Sequence, residues 1–102
     1  MDMEIRIEND TVFFNIMGAI DTEGAPELTV KFMELVKDTS LKHASFDLSE
    51  VSFITSAGIG KLLAFFKHFD KLGGSLKISA VSPELAKQFE EIHLNNIIPI
   101  GT

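Results

Sequence analysis

Residues 53–60 read F-I-T-S-A-G-I-G, two hydroxyls and then two glycines where a strand-like segment gives way to a helical one. Two chemistries suit that pattern. Thr55 or Ser56 can cap the helix by accepting a hydrogen bond from a free backbone N–H of its first turn. A hydroxyl at a helix N-terminus is also a natural phosphoacceptor, because the unpaired N–H groups there stabilise an anion. Ser56 is the candidate acceptor and Thr55 its rival. Gly58 and Gly60 lower helix propensity by about 1 kcal/mol each relative to alanine. In return they leave a bare strip that another backbone can approach closely. Ile59 and Leu63 are expected to lie partly exposed beside that strip. Asp21 and Glu23 stand just ahead of the first helix, where acids complement the helix dipole.

Other chemistries find no support. His43, His68 and His93 are spaced 25 residues apart, with no paired carboxylate at metal-ligand spacing. The chain has no cysteine, which excludes disulfides and thiol nucleophiles. There is no G-x-S-x-G elbow and no phosphate-cradling glycine loop, and the G-I-G at 58–60 lacks the third glycine of a dinucleotide fingerprint. The expectation is a protein that is not an enzyme and uses no cofactor or metal. Nine Lys and Arg against fifteen Asp and Glu give a net charge of −6, which disfavours nucleic acid and anionic membrane surfaces as partners. No run approaches the ~20 apolar residues of a membrane span. The start, MDMEIRIEND, lacks the basic and apolar regions of a signal peptide, so a cytoplasmic protein is expected.

The elements that must carry these residues follow from periodicity. The 102 residues fit one domain, 1–102. Residues 3–9 and 11–17 read as a hairpin turning at Asn9-Asp10. Leu28, Phe32 and Leu35 mark an amphipathic helix that reaches about Asp38, with Thr22 or Gly24 as its cap and Pro26 in its first turn. Ala44–Leu48 is a short apolar strand, and 51–54 continues it or forms a loop. A second helix runs from about Ser56 to Leu72 with Leu62, Phe66 and Phe69 as its main stripe, widened by Leu63 and Phe65. Gly73-Gly74 stops it. Ser75–Val81 is a strand with Leu76, Ile78 and Ala80 on one face. Ser82-Pro83 opens a third helix marked by Leu85, Phe89 and Ile92. The tail I-I-P-I suggests a last short strand at an edge. The order ββαβαβαβ predicts an α/β fold: a mixed, mostly parallel sheet of about four to five strands with helices largely on one side.

Three stretches resemble the STAS domain in its stand-alone bacterial form, the anti-sigma-factor antagonist. They are GAIDTEGAPEL (18–28), FDLSEVSFITSAGIGKLL (46–63) and LGGSLKISAVSPELAKQFE (72–90), in the family's order and spacing. The resemblance implies a partner switch. The unphosphorylated domain binds an anti-sigma factor that is also a serine kinase, phosphorylation at the start of the second helix releases it, and a PP2C-type phosphatase restores binding. By position it implies Ser56 as acceptor, and Asp21, Glu23, Thr55, Gly58, Ile59 and Leu63 on the partner-binding surface. The chain departs from the family pattern at Thr55, where the family has an acid, at Ala57, where it has a hydroxyl, and in stopping soon after Ile100 without a last helix. The lost acid favours an alternative reading, a non-switching scaffold or ligand-sensing module. The short end is expected to expose the sheet edge or the third helix, favouring an oligomer such as a homodimer or a different partner surface.

Overall fold

The computed structural model describes residues 1–101. Strand β1 (Asp2–Glu8) turns through Asn9-Asp10 into strand β2 (Thr11–Met17), and the two pair antiparallel from Glu8 opposite Thr11 to Asp2 opposite Met17. Asn9 takes the tight corner at φ +56°, a left-handed conformation that asparagine tolerates better than most residues. Helix α1 (Gly24–Leu35) crosses to strand β3 (His43–Glu50), which lies parallel to β2. Helix α2 (Ser56–Lys71) crosses to strand β4 (Ser75–Val81), parallel to β3. Helix α3 (Pro83–Glu91) follows. The sheet is four-stranded in the order β1-β2-β3-β4, a mixed α/β fold as the element order predicts.

One face of the sheet is apolar and buried: Val12, Phe14 and Ile16 of β2, Phe46 and Leu48 of β3, Leu76 and Ile78 of β4. The helices contribute to that same core through Leu28, Leu62, Phe65, Phe69, Leu85 and Phe89. Phe14 and Phe46 stack across the β2–β3 pair with ring centroids 4.4 Å apart and planes 3° from parallel. Phe65 meets both edge-on at 5.5 Å, and Phe32 of α1 meets Phe65 edge-on at 4.7 Å. Four rings thus join two strands and two helices, in the offset and edge geometries that aromatic quadrupoles favour.

The structure departs from the sequence expectation in several places, beginning with β3, which runs His43–Glu50 and so extends past Ala44–Leu48 at both ends. Helix α1 ends at Leu35, short of Asp38; the Asp38 carboxylate instead accepts from the N–H and hydroxyl of Ser40, closing a turn. In α2 the buried stripe is Gly58, Leu62, Phe65 and Phe69, with Phe66 only half-buried. Ile92 lies past the end of α3 and is 46% exposed, because the chain reverses at His93 with φ +59°. The last strand shrinks to a single bridge of Ile100 to Ile78, since Leu94–Asn96 coils into a 3₁₀ turn that buries Leu94 and, just beyond it, Ile98. Gly73 and Gly74 stop α2 as expected. A Cβ on Gly74 would lie 1.5 Å from the Lys42 carbonyl oxygen, which accepts from Ser75 N–H, so no side chain fits there.

His68 sits on α2 between Phe32, 5.9 Å away, and Phe69, 5.1 Å away, with its Nε2 buried and unpartnered among the described residues. Burial, helped by the Lys71 charge, holds its pKa below the ordinary value of 6.5. The unfolded chain therefore takes up the proton first as pH falls. Stability from this site is complete above about pH 6.5 and declines below it, down to the folded pKa. The urea midpoint is expected to drop between pH 7.5 and 5.5, and His68→Leu is expected to remove most of that drop.

Candidate functional site

Beyond the paired strands, the backbones of 18–20 and 50–55 continue side by side. Gly18 N–H donates to the Glu50 carbonyl at 3.0 Å, Ile20 N–H to Phe53 at 3.0 Å, and Thr55 N–H to Ile20 at 2.9 Å. Ile20 and Ile54 form a parallel bridge. Asp21 and Thr55 each follow a bridged residue, so the two sequence-distant segments singled out above end at one place. From the other side Gln88 of α3 clamps Ile54, donating from Nε2 to its carbonyl at 2.6 Å and accepting its N–H at 3.4 Å.

On this platform the two hydroxyls divide their roles. Thr55 has extended backbone (φ −80°, ψ 167°), and its Oγ1 accepts from Gly58 N–H at 3.3 Å. It is the helix cap. Ser56 is the first helical residue, exposed, and its hydroxyl has no partner among the described residues. A group attached to Ser56 Oγ would stand at the positive end of α2, where the first-turn N–H groups lack intrahelical acceptors. Thr55→Ala is expected to cost about 1 kcal/mol, read as a lowered Tm, whereas Thr55→Ser keeps the cap and most of the stability.

Asp21 caps α1 from outside the helix. Its Oδ1 accepts from Gly24 N–H at 2.8 Å and from Glu23 N–H at 3.0 Å. These amides, Gly24 first, hold its carboxyl below the usual carboxylate range, with the chain's N-terminal ammonium adding to the effect. Thr22 and Gly24, the expected caps, do not serve: the N-cap residue is Glu23, with no bond from its own side chain. Glu23 is exposed beside Asp21.

The two glycines face opposite ways, which corrects the expectation of one bare strip. Gly58 is buried, and a Cβ there would lie 2.6 Å from Ile54 Cγ1 and 2.7 Å from Ile20 Cγ2. It lets the first turn of α2 settle on the Ile20–Ile54 bridge. Gly60 is the exposed one, with open space around its Cβ position. Ile59 and Leu63 are half-buried against the core. Phe53, which the sequence reading passed over, is 47% exposed one step before the bridge. Its signal lay in the F-I pair: only one of two successive apolar residues in extended backbone can face the core. Gln88 carried no signal, since its partner lies 34 residues away. The three histidines fall apart as well, His43 on β3, His68 on α2 and His93 beyond α3.

A four-stranded mixed sheet with helices packed on its apolar face is the arrangement of a known class. The STAS domain family model matches residues 2–102, and the chain belongs to that family. It is 31% identical over 101 residues to the anti-sigma-B factor antagonist of Bacillus subtilis (strain 168), covering 99% of this chain and 91% of that one. Its fold matches the anti-sigma factor antagonist SpoIIAA in the unphosphorylated form, with a TM-score of 0.85 at 18% identity, covering 99% and 89% of the two chains. It also matches the Bacillus cell fate determinant SpoIIAA in the phosphorylated form, with a TM-score of 0.77 at 18% identity over 99% and 92%. By sequence and fold the chain groups with the anti-sigma factor antagonists. No helix among the described residues is long and apolar enough to cross a membrane.

Proposed function

We propose that this chain is a cytoplasmic partner switch, not an enzyme. Unphosphorylated, it binds an anti-sigma factor that is also a serine kinase and so frees a sigma factor. The kinase transfers the terminal phosphoryl group of ATP to Ser56 Oγ: the new O–P bond forms as the bond to the leaving ADP breaks, the hydroxyl loses its proton, and the complex separates. A PP2C-type phosphatase hydrolyses the ester and restores binding. The observation that carries this reading is the division at the α2 N-terminus: Thr55 Oγ1 is engaged with Gly58 N–H, while the Ser56 hydroxyl is exposed and free of partners among the described residues. A homologous fold that exists in both unphosphorylated and phosphorylated forms supports it.

The partner surface is the patch around that hydroxyl. Ile59 and Leu63 supply half-buried apolar area, Phe53 and Gly60 an exposed ring and a bare step, and Asp21 and Glu23 an acidic border. Phosphate adds a charge of about −1.5 to −2 beside that border. The helix end stabilises it in the free protein, but a partner closing over it must strip its water. Phosphosite mapping by mass spectrometry on protein from its native cells tests the assignment. Phosphate on Ser56 is expected. Phosphate on Thr55 would require breaking the cap and would move the acceptor. Absence of phosphate under all growth conditions would leave the non-switching scaffold as the better reading.

A further inference from the structure

Strand β1 lies at an edge of the sheet, with β2 as its neighbour on one side. The opposite edge, β4, is partly covered: Ile78 N–H donates to the Pro99 carbonyl, and Gly101 N–H to the Ile78 carbonyl. Nothing among the described residues covers β1. It is seven residues long, D-M-E-I-R-I-E, with no proline or glycine to interrupt pairing. Its outward backbone groups form a template for another strand. Its charged residues Asp2, Glu4, Arg6 and Glu8 share one face, while Met3, Ile5 and Ile7, opposite Ile16, Phe14 and Val12, turn to the core face. Ile7 is left 52% exposed.

We infer that β1 pairs with β1 of a second copy, antiparallel about a two-fold axis at Ile5, to make a continuous eight-stranded sheet across a weak dimer. The register follows from the sequence. A two-fold axis makes any β1–β1 pairing antiparallel and sets each residue against its mirror position. An axis at Glu4 or at Arg6 pairs only five residues of each strand and sets Glu4 on Glu4 or Arg6 on Arg6; like charges directly opposed are destabilising. An axis between residues would set the charged face of one strand beside the apolar face of the other. Centred on Ile5, all seven residues pair. Glu4 meets the second copy's Arg6, and Arg6 its Glu4. Met3 meets the second copy's Ile7, which covers that exposed side chain. Asp2 and the second copy's Glu8 are like-charged, but they meet only at the strand ends, where water and salt screen them. Arg6 already spans Glu8 at 3.4 Å and lies 4.4 Å from the Phe13 ring centre, but its side chain is 63% exposed and keeps donors for a second carboxylate.

The interface is small, so the dimer forms in proportion to concentration and is not permanent. The Ser56 end of the molecule is the Asp2 end of β1, since Asp2 pairs with Met17 and Met17 with Glu50. Antiparallel pairing sends the two Ser56 sites to opposite ends of the long sheet. Both stay open to partners.

Charge reversal on the full chain tests the register. Sedimentation velocity from about 10 μM to about 1 mM covers the range of a weak association. The wild type is expected to shift from monomer to dimer. Glu4→Arg alone and Arg6→Glu alone each place two like-charged pairs in the interface and are expected to weaken the dimer at least about tenfold. An equimolar mixture of the two single variants is expected to recover it as a heterodimer, and the double variant Glu4→Arg/Arg6→Glu as a homodimer. Circular dichroism establishes that each variant is folded. A wild type that stays monomeric to about 1 mM overturns the inference. So does a dimer indifferent to the single reversals, or a mixture that fails to recover it.

Discussion

Ser56→Asp is expected to weaken binding to the cognate anti-sigma factor by roughly 5–150-fold, the range of a coupling of about 1–3 kcal/mol, while Ser56→Ala binds like the wild type. The sign of the stability change is expected to be opposite. Ser56 opens α2, and that helix has no acid in its first turn. An aspartate there complements the helix dipole and is worth about 0.3–1 kcal/mol. Ser56→Asp should therefore melt at or above the wild-type temperature while binding more weakly. That pairing of effects separates a charge switch from simple damage to the fold. Titration calorimetry against the purified partner, with thermal melts of the same preparations, reads both. If Ser56→Asp and Ser56→Ala bind equally well, the switch does not operate through charge at Ser56.

Much of the fold is legible because local signals and tertiary structure agree. Strand β2 and strand β4 have the bounds their β-forming runs predict, Thr11–Met17 and Ser75–Val81. Ser82 caps α3 as its type and the following proline imply, its Oγ accepting from Leu85 N–H at 3.2 Å. What escapes is rotation about the α2 axis. Phe65 and Phe66 are adjacent, identical in type and about 100° apart on the helix. Only the stacked Phe14–Phe46 pair, contributed by β2 and β3, selects Phe65 as the one that enters the core. The same rotation decides that Gly58 faces in and Gly60 out. Thr55 and Ser56 are likewise two hydroxyls in sequence until the extended backbone of Thr55 marks it as the cap. The sequence points to Asp21 as an acid favouring a helix start, yet its stronger role, gathering two backbone amides, depends on the turn at 21–24. The position of the candidate site is thus readable, and the orientation of its parts is not.

That orientation leads to a pair of substitutions with opposite outcomes. In an exposed helix position, glycine to alanine stabilises by about 0.4–1 kcal/mol, mainly by restricting the unfolded chain. Gly60 meets that condition, because its Cβ position has nothing within 4 Å. Gly60→Ala is expected to raise the urea midpoint. Gly58 does not meet it. The new methyl would press on Ile54 and Ile20, which are 2% and 0% exposed and cannot swing aside into water. Their backbones are fixed to each other by the parallel bridge, and Ile54 is held again by Gln88. The first turn of α2 must lift instead, drawing Gly58 N–H away from Thr55 Oγ1 and shifting Ser56 with it. Overpacking of this kind costs about 1–3 kcal/mol, more than the gain in helix propensity. Gly58→Ala is therefore expected to lower the urea midpoint and to weaken partner binding together. Gly60→Ala separates the two: greater stability with weaker binding would place Gly60 in the contact surface, where a methyl blocks close approach. Equal midpoints for the two variants would mean that the helix end adjusts freely, and that the Ile20–Ile54 bridge does not hold Ser56 rigidly in place.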